Sequence, residues 1–591
     1  MSPSGAAYPL DHMIDVASGR SRADIVLRNA SVVNLFTGEI VQGDVALCGS
    51  FIAGVGSYSG NTETELDGAY VVPSFIDGHV HVESSMVMPI QYARAVVPHG
   101  TGAVIADPHE IANVLGMEGI VYMSKSMRGG PLDFYVMIPS CVPSTDLETN
   151  GVALDHLDVR PLMTEHYVLG LAEAMNYPGV VYRDPTILEK IRVSLDLGKR
   201  IDGHAPTLRG LDLNAYAAAR ITSDHECTTY EEAMDRLAVG MHVHIREGST
   251  ARNLKSLARI IRPETSMFCS FVTDDRNTLD LLKKGHIDSM IREAVEFGVD
   301  PVLAIRVATL STAVHYGLSH RGAVAPGYVA DLCVIDSLER VGVKMVFKRG
   351  HLVAREGKMI ADVVEQQQPR LRRSVNIHWL EPEDFEVRAN GKLMNVIGVI
   401  PHQIVTKHLV EEPRVKGEMV VPDVDRDLVK VAVIERHNAS PVRAVGFVRG
   451  LGIKEGAMVS SVAHDSHNIV TVATNDRDLV EAAVQVARMQ GGLAVVRDGE
   501  VLASLALPIA GLMSDRPIEE VSERLERLRT AAERIGCDID EPFMAMAFLT
   551  LPVIPELKIT DIGLVDVVRF RTIGLFEVPQ NDSDSAAHRE A

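Results

Sequence analysis

Cysteine is scarce in this chain. The six, at positions 48, 141, 227, 269, 333 and 537, include no Cys-x-x-Cys pair, which excludes a zinc ribbon and favours reduced thiols over a disulfide scaffold. Aromatic residues make up only 5% of the chain, against 46% apolar residues overall. Long apolar runs are missing as well. No stretch approaches the roughly 20 residues needed to span a bilayer, and Ala503 to Met513 is short and broken by Pro508. Positive charge is in deficit, with 58 basic against 79 acidic residues and a formal net charge of -21. Such a surface repels phosphate backbones, so no nucleic-acid partner is expected. The first residues carry Asp11 and Asp15 and no basic start before an apolar core, so they do not read as a secretory signal. A cytoplasmic protein without a membrane partner is the expectation, and a homodimer or higher homo-oligomer the prior for a large enzyme.

What is present is histidine, in a particular pattern. In Phe75-Ile76-Asp77-Gly78-His79-Val80-His81 two imidazoles stand two positions apart, on one face of a strand, and can grip one metal ion. With 22 histidines in 591 residues, one such pair means little alone. It is joined by Glu173, His204, His225 and Asp274, each closing a short, mostly apolar run as the C-terminal end of a buried parallel strand does.

The intervals give the fold class. A (β/α)₈ barrel of about 250 residues spends about 30 on each strand-helix unit. His81 to Glu173 is 92 residues, Glu173 to His204 is 31, His204 to His225 is 21, and His225 to Asp274 is 49. The ligands then fall after strands one, four, five, six and eight, with strands two, three and seven at Val104-Ile105-Ala106, Phe134 to Ile138 and Met241 to Ile245. A helix over Thr186 to Leu197 stopped by Gly198, and a capping box at Thr229 to Glu232 with Gly240 as stop, fit this register. We therefore expect an α/β protein: a TIM-type barrel over 74–319 and a small β-sandwich built from 1–73 and 320–364. After the Gln- and Arg-rich linker Glu365 to Ser374, an α/β or α+β domain over 374–579 and a disordered tail over 580–591 are expected.

Four histidines and two carboxylates exceed what one tetrahedral ion needs, so two divalent metals with a bridge are expected. Glu173 is the bridge, His79, His81 and Asp274 complete one ion, and His204 and His225 the other. A water shared by the ions would become a hydroxide nucleophile, and Asp274 would take its proton and pass it to the leaving group. Other signatures fail. His81-Val82-Glu83 lacks the Pro-Cys-x-x-Cys partner of nucleoside-type zinc deaminases, and His109-Glu110 and His225-Glu226 lack the second histidine of a metalloprotease helix. The group Ala463-His464-Asp465-Ser466-His467-Asn468 reads as a turn rich in hydrogen-bonding side chains.

On His79 to Ser85, Asp107 to Val114, Ala172 to Asn176, Asp202 to Pro206 and Thr273 to Arg276, the chain resembles the amidohydrolase superfamily and, within it, the bacterial adenine deaminase family. Glu173 stands where many superfamily relatives carry a carboxylated lysine. The resemblance implies conversion of a small purine base, adenine, to hypoxanthine and ammonia with Mn²⁺, or alternatively Fe²⁺ or Zn²⁺. It implies His109 as a proton shuttle and Glu83 and Asp275 as contacts to the purine edge. The alternative is an amidohydrolase of hydantoinase or sugar-phosphate deacetylase type, cleaving a cyclic amide or N-acyl bond; Glu173 separates the chain from hydantoinase-like relatives, whereas sugar-phosphate deacetylases can carry a glutamate at this place.

Overall fold

The structure, a computed structural model, describes residues 9–361, 371, 373–401 and 403–577. Most of the expected linker and all of the expected tail lie outside the described residues. Eight strands carry the barrel: β1 (Phe75–Val80), β2 (Thr101–Ala106), β3 (Asp133–Ile138), β4 (Val168–Ala174), β5 (Arg200–Gly203), β6 (Ser223–Asp224), β7 (His242–Arg246) and β8 (Cys269–Val272). β1 to β5 form one parallel sheet and β6 to β8 another. Hydrogen bonds close both seams. Thr222 N–H donates to the Ile201 carbonyl at 2.8 Å, Asp274 N–H to the His79 carbonyl at 3.0 Å, and His81 N–H to the Asp274 carbonyl at 3.2 Å. Every residue of β1, β2, β7 and β8 is buried, as it must be when one face of a parallel strand fills the barrel and the other lies under helices.

Local sequence sets the phase of these strands. Asp184 accepts from the Thr186 N–H to cap the helix Pro185–Asp196, and Gly198, in the left-handed region at φ +64°, turns the chain into β5. Thr229 and Glu232 form the reciprocal capping box of Tyr230–Ala238, and Gly240 at φ +82° hands over to β7.

The expected sandwich takes the form of a single nine-stranded sheet. Its two chain segments are joined where Tyr70–Pro73 runs antiparallel to Leu332–Ile335, with Val72 opposite Cys333. The sheet curls until its far edge meets the chain entering Leu332: Ile52 N–H donates to the Tyr328 carbonyl at 2.8 Å. Leu27, Val45, Leu47, Val71, Leu332 and Phe347 fill the fold. Twisted sheets of this length close on themselves because curling buries one face without a second sheet.

The C-terminal part is α+β. Its eight-stranded sheet pairs antiparallel everywhere except between Met394–Val399 and Arg443–Arg449, because its strands are mostly joined by hairpins and loops rather than crossover helices. Alternation along Leu428–Ile434 sorts its two faces: Ala432 and Ile434 pack under the helix Asp476–Met489, while Val431 and Val433 belong to a core continuous with that of the barrel. Ser514 N–H reaches the Met86 carbonyl at 2.8 Å, which seats this domain beside the turn that follows His81. Among the described residues no helix is long and apolar enough to cross a membrane.

Candidate active site

The six residues expected as metal ligands converge at the C-terminal mouth of the barrel, each at most 5% exposed. His79 lies in β1 and His81 just beyond it, and their Nε2 atoms face each other at 3.1 Å. Asp274 Oδ1 lies 3.0 Å from His81 Nε2 and 3.5 Å from His79 Nε2. Glu173 at the end of β4 spans the cluster: Oε1 is 3.3 Å from His81 Nε2, while Oε2 is 2.7 Å from His204 Nδ1 and 3.2 Å from His225 Nε2. Donor atoms sharing an ion at about 2.1 Å stand about 3 to 3.5 Å apart, so this donor set is compatible with divalent metal binding.

Supporting contacts orient these side chains. His81 Nδ1 donates to the Asp107 carbonyl at 3.0 Å, which leaves Nε2 as its ligand atom. The residue two places before a ligand shares its face of the strand, and these positions brace the barrel below the site. Asp77 takes the Thr273 N–H at 3.1 Å and its hydroxyl at 2.5 Å, tying β1 to the end of β8. Asp202 takes the Ser223 hydroxyl at 2.8 Å, tying β5 to β6. Asp274 itself sits at φ 54°, a left-handed backbone that a non-glycine residue holds only where its surroundings compel it. Here the two seam hydrogen bonds and Arg246 hold it.

Burial would raise Glu173 and Asp274. Instead both are held well below the usual carboxylate range, Glu173 by His225 and His204, and Asp274 by Arg246, His79 and His81. Burial likewise pulls His225 down, but the Glu173 carboxylate lifts it to about 9. This strong mutual attraction is what a cation-binding donor set shows when its own side chains must balance the charge.

His109, at the start of the helix His109–Leu115 that follows β2, stands beside the cluster. Nδ1 is 3.1 Å from Asp107 Oδ2 and 3.5 Å from Glu173 Oε1, and Nε2 is 3.2 Å from Glu110 Oε1 and 3.7 Å from Asp465 Oδ1. Asp275 lines the cavity and takes the Ser84 hydroxyl. Glu83 does not line it. Its Oε1 accepts the Ile111 N–H at 3.2 Å, and burial, reinforced by the Glu110 carboxylate, raises it to about 7; the expected purine contact is not among the residues that line the cavity.

The sequence reading missed four groups. Arg246 of β7 bridges Glu226 and Asp274, the latter at 2.9 Å; its place two residues after His244, on the inward face, was the available signal. Glu226 and Glu110 lack a metalloprotease partner yet line the site. The fourth is the His464 group, read as a turn rich in hydrogen-bonding side chains in preference to a pocket lining. It is buried, with His464 Nδ1 2.7 Å from Glu110 Oε1, and together with Ile404, Phe548 and Leu551 it walls a small cavity over the cluster. No local motif announces it, because the partners lie more than 300 residues apart in the chain.

Barrel and ligand cluster together define an amidohydrolase, and residues 70–353 match the Amidohydrolase family model. Residues 403–571 match the Adenine deaminase C-terminal domain model. The adenine deaminase of Kosmotoga olearia is 47% identical over 567 residues, covering 95% of this chain and 98% of that one. Adenine deaminase 2 of Carboxydothermus hydrogenoformans is 47% identical, covering 96% and 99%. A solved enamidase covers 56% of this chain and 96% of its own at 15% identity and a TM-score of 0.44. The chain belongs to the adenine deaminase family of the amidohydrolase superfamily.

Proposed function

We propose that this enzyme hydrolyses adenine to hypoxanthine and ammonia, with two divalent cations, Mn²⁺ foremost, held by His79, His81, Glu173, His204, His225 and Asp274. The observation that carries the reading is Glu173, whose two carboxylate oxygens face separate histidine pairs. The bound cations would supply a hydroxide nucleophile at neutral pH by lowering the pKa of a shared water. The chain's own residues handle the protons. Asp274, oriented by Arg246, is placed to take the proton of the attacking water. His109, between Asp107 and Asp465, is placed to deliver one to the purine, whose C6 becomes electrophilic as its ring nitrogen is protonated. Hydride and phosphoryl chemistry would need a nucleotide cradle, whereas this cavity offers ionisable side chains around one small volume. Ammonia release from adenine by manganese-loaded protein is the test. Silence toward adenine with manganese and with iron, together with acid release from cyclic amides or N-acyl substrates, would replace this reading with the hydantoinase or deacetylase alternative.

A further inference from the structure

The barrel side of the cavity is mostly ionisable, with His81, His109, Glu110, Glu226, Arg246 and Asp275 among its lining. A planar heteroaromatic base also needs apolar cover for its faces and a partner for its edge nitrogens. The C-terminal domain supplies the apolar cover with Ile404, Phe548 and Leu551. It also supplies His464, whose ring is immobilised twice. Nδ1 donates to Glu110 Oε1 at 2.7 Å, and the ring stacks on Phe548 with centroids 4.5 Å apart and planes inclined by 15°. Glu110 is itself fixed from its other oxygen by His467. His467 Nδ1 accepts the Ala463 N–H at 3.2 Å, so its proton sits on Nε2, facing Glu110. The remaining nitrogen of His464, Nε2, is buried and has no partner among the described residues, a condition native structures seldom leave unexplained.

We propose that His464 reads the purine edge, its Nε2 hydrogen-bonding a ring nitrogen of the base while Phe548, Leu551 and Ile404 cover the ring face. Burial opposes a charge on His464, yet the Glu110 carboxylate lifts it to about 9, so Nε2 carries a proton to donate at neutral pH. The proposal rests on the adenine reading above and makes the C-terminal domain half of the substrate site.

The test uses the metal-loaded full chain, with adenine as substrate, hypoxanthine as a binding probe, and the 1-, 3- and 7-deaza analogues of adenine as competitive ligands. His464→Ala is expected to keep the parent's metal content while KM for adenine and Kd for hypoxanthine rise about tenfold or more, with a smaller change in kcat. One deaza analogue should bind the parent about tenfold more weakly than adenine, and this penalty should vanish in His464→Ala. Unchanged KM and Kd, or a deaza penalty that persists in the variant, overturns the proposal. If His464→Ala does not fold, the parent alone decides: equal affinity for adenine and all three analogues refutes it. A parent that fails to turn adenine over defeats the proposed function instead, so the two failures are distinguishable.

Discussion

At the scale of single residues, the site separates side chains that hold charge in place from those that move protons. Glu173 belongs to the first kind, because its two oxygens are the link between histidine pairs carried by different strands. A neutral amide cannot serve both. Glu173→Gln is expected to lose bound metal and to release ammonia from adenine only at background rate, with elemental analysis and an ammonia assay as the measurements. His109 belongs to the second kind and touches the cluster at its edge. His109→Gln should retain the parent's metal content while kcat falls by roughly 10²–10⁴; retained activity would remove His109 from the proton path. The position of Glu173 was legible in the sequence, since a carboxylate closing an apolar strand has little structural reason to be there, whereas the role expected of His109 came from the family resemblance. The purine contact expected of Glu83 was not legible, because strand phase says nothing about where a side chain points once the chain enters the short helix Val82–Ser85.

At the scale of elements, strand periodicity explains why the ligands and their braces travel together: Asp77 with His79, and Asp202 with His204, share a face. The loop after β3 obeys no such rule, and its chemistry is set by what packs on it. Glu148 is buried there against the C-terminal domain. Burial, reinforced by Asp465 and Asp561 and moderated by the Ser144 hydroxyl at 2.7 Å, raises it to about 8. The fold thus favours its protonated form. The stability this contributes is fully present below the unfolded value near 4.5 and is lost as pH rises through about 8. A neutral isostere escapes that loss. Glu148→Gln should melt with the parent near pH 4.5, become progressively more stable than it as pH rises, and hold a constant advantage above about pH 9. A melting difference independent of pH would show that the carboxyl does not titrate in this window.

At the scale of the whole molecule, the C-terminal domain is structurally inseparable from the barrel. Val431, Val433, Val472 and Val495 of its sheet share one apolar core with barrel residues such as Ile111 and Met123. Ser514 and Ile518 bond to Met86 and to Gln91 at the barrel mouth. Removing residues 362–591 would expose that face along with the ligand cluster. The truncated chain is expected to aggregate or to bind a hydrophobic dye strongly. A monomeric, dye-silent fragment would mean the shared core is dispensable.

The amino-acid sequence by itself determined the barrel, the register of its strands and the six side chains at its mouth. Each of these is written locally, in a repeat of apolar run, functional residue, capped helix and glycine stop, and spacing suffices to read it. Only the tertiary structure decided that the sandwich is one curled sheet and that the large sheet of the third domain is antiparallel at all but one strand pair. It alone brought His464, Phe548 and Arg246 into the site. Those outcomes depend on which distant surfaces find each other, and a contact between residues hundreds of positions apart leaves no period in the chain.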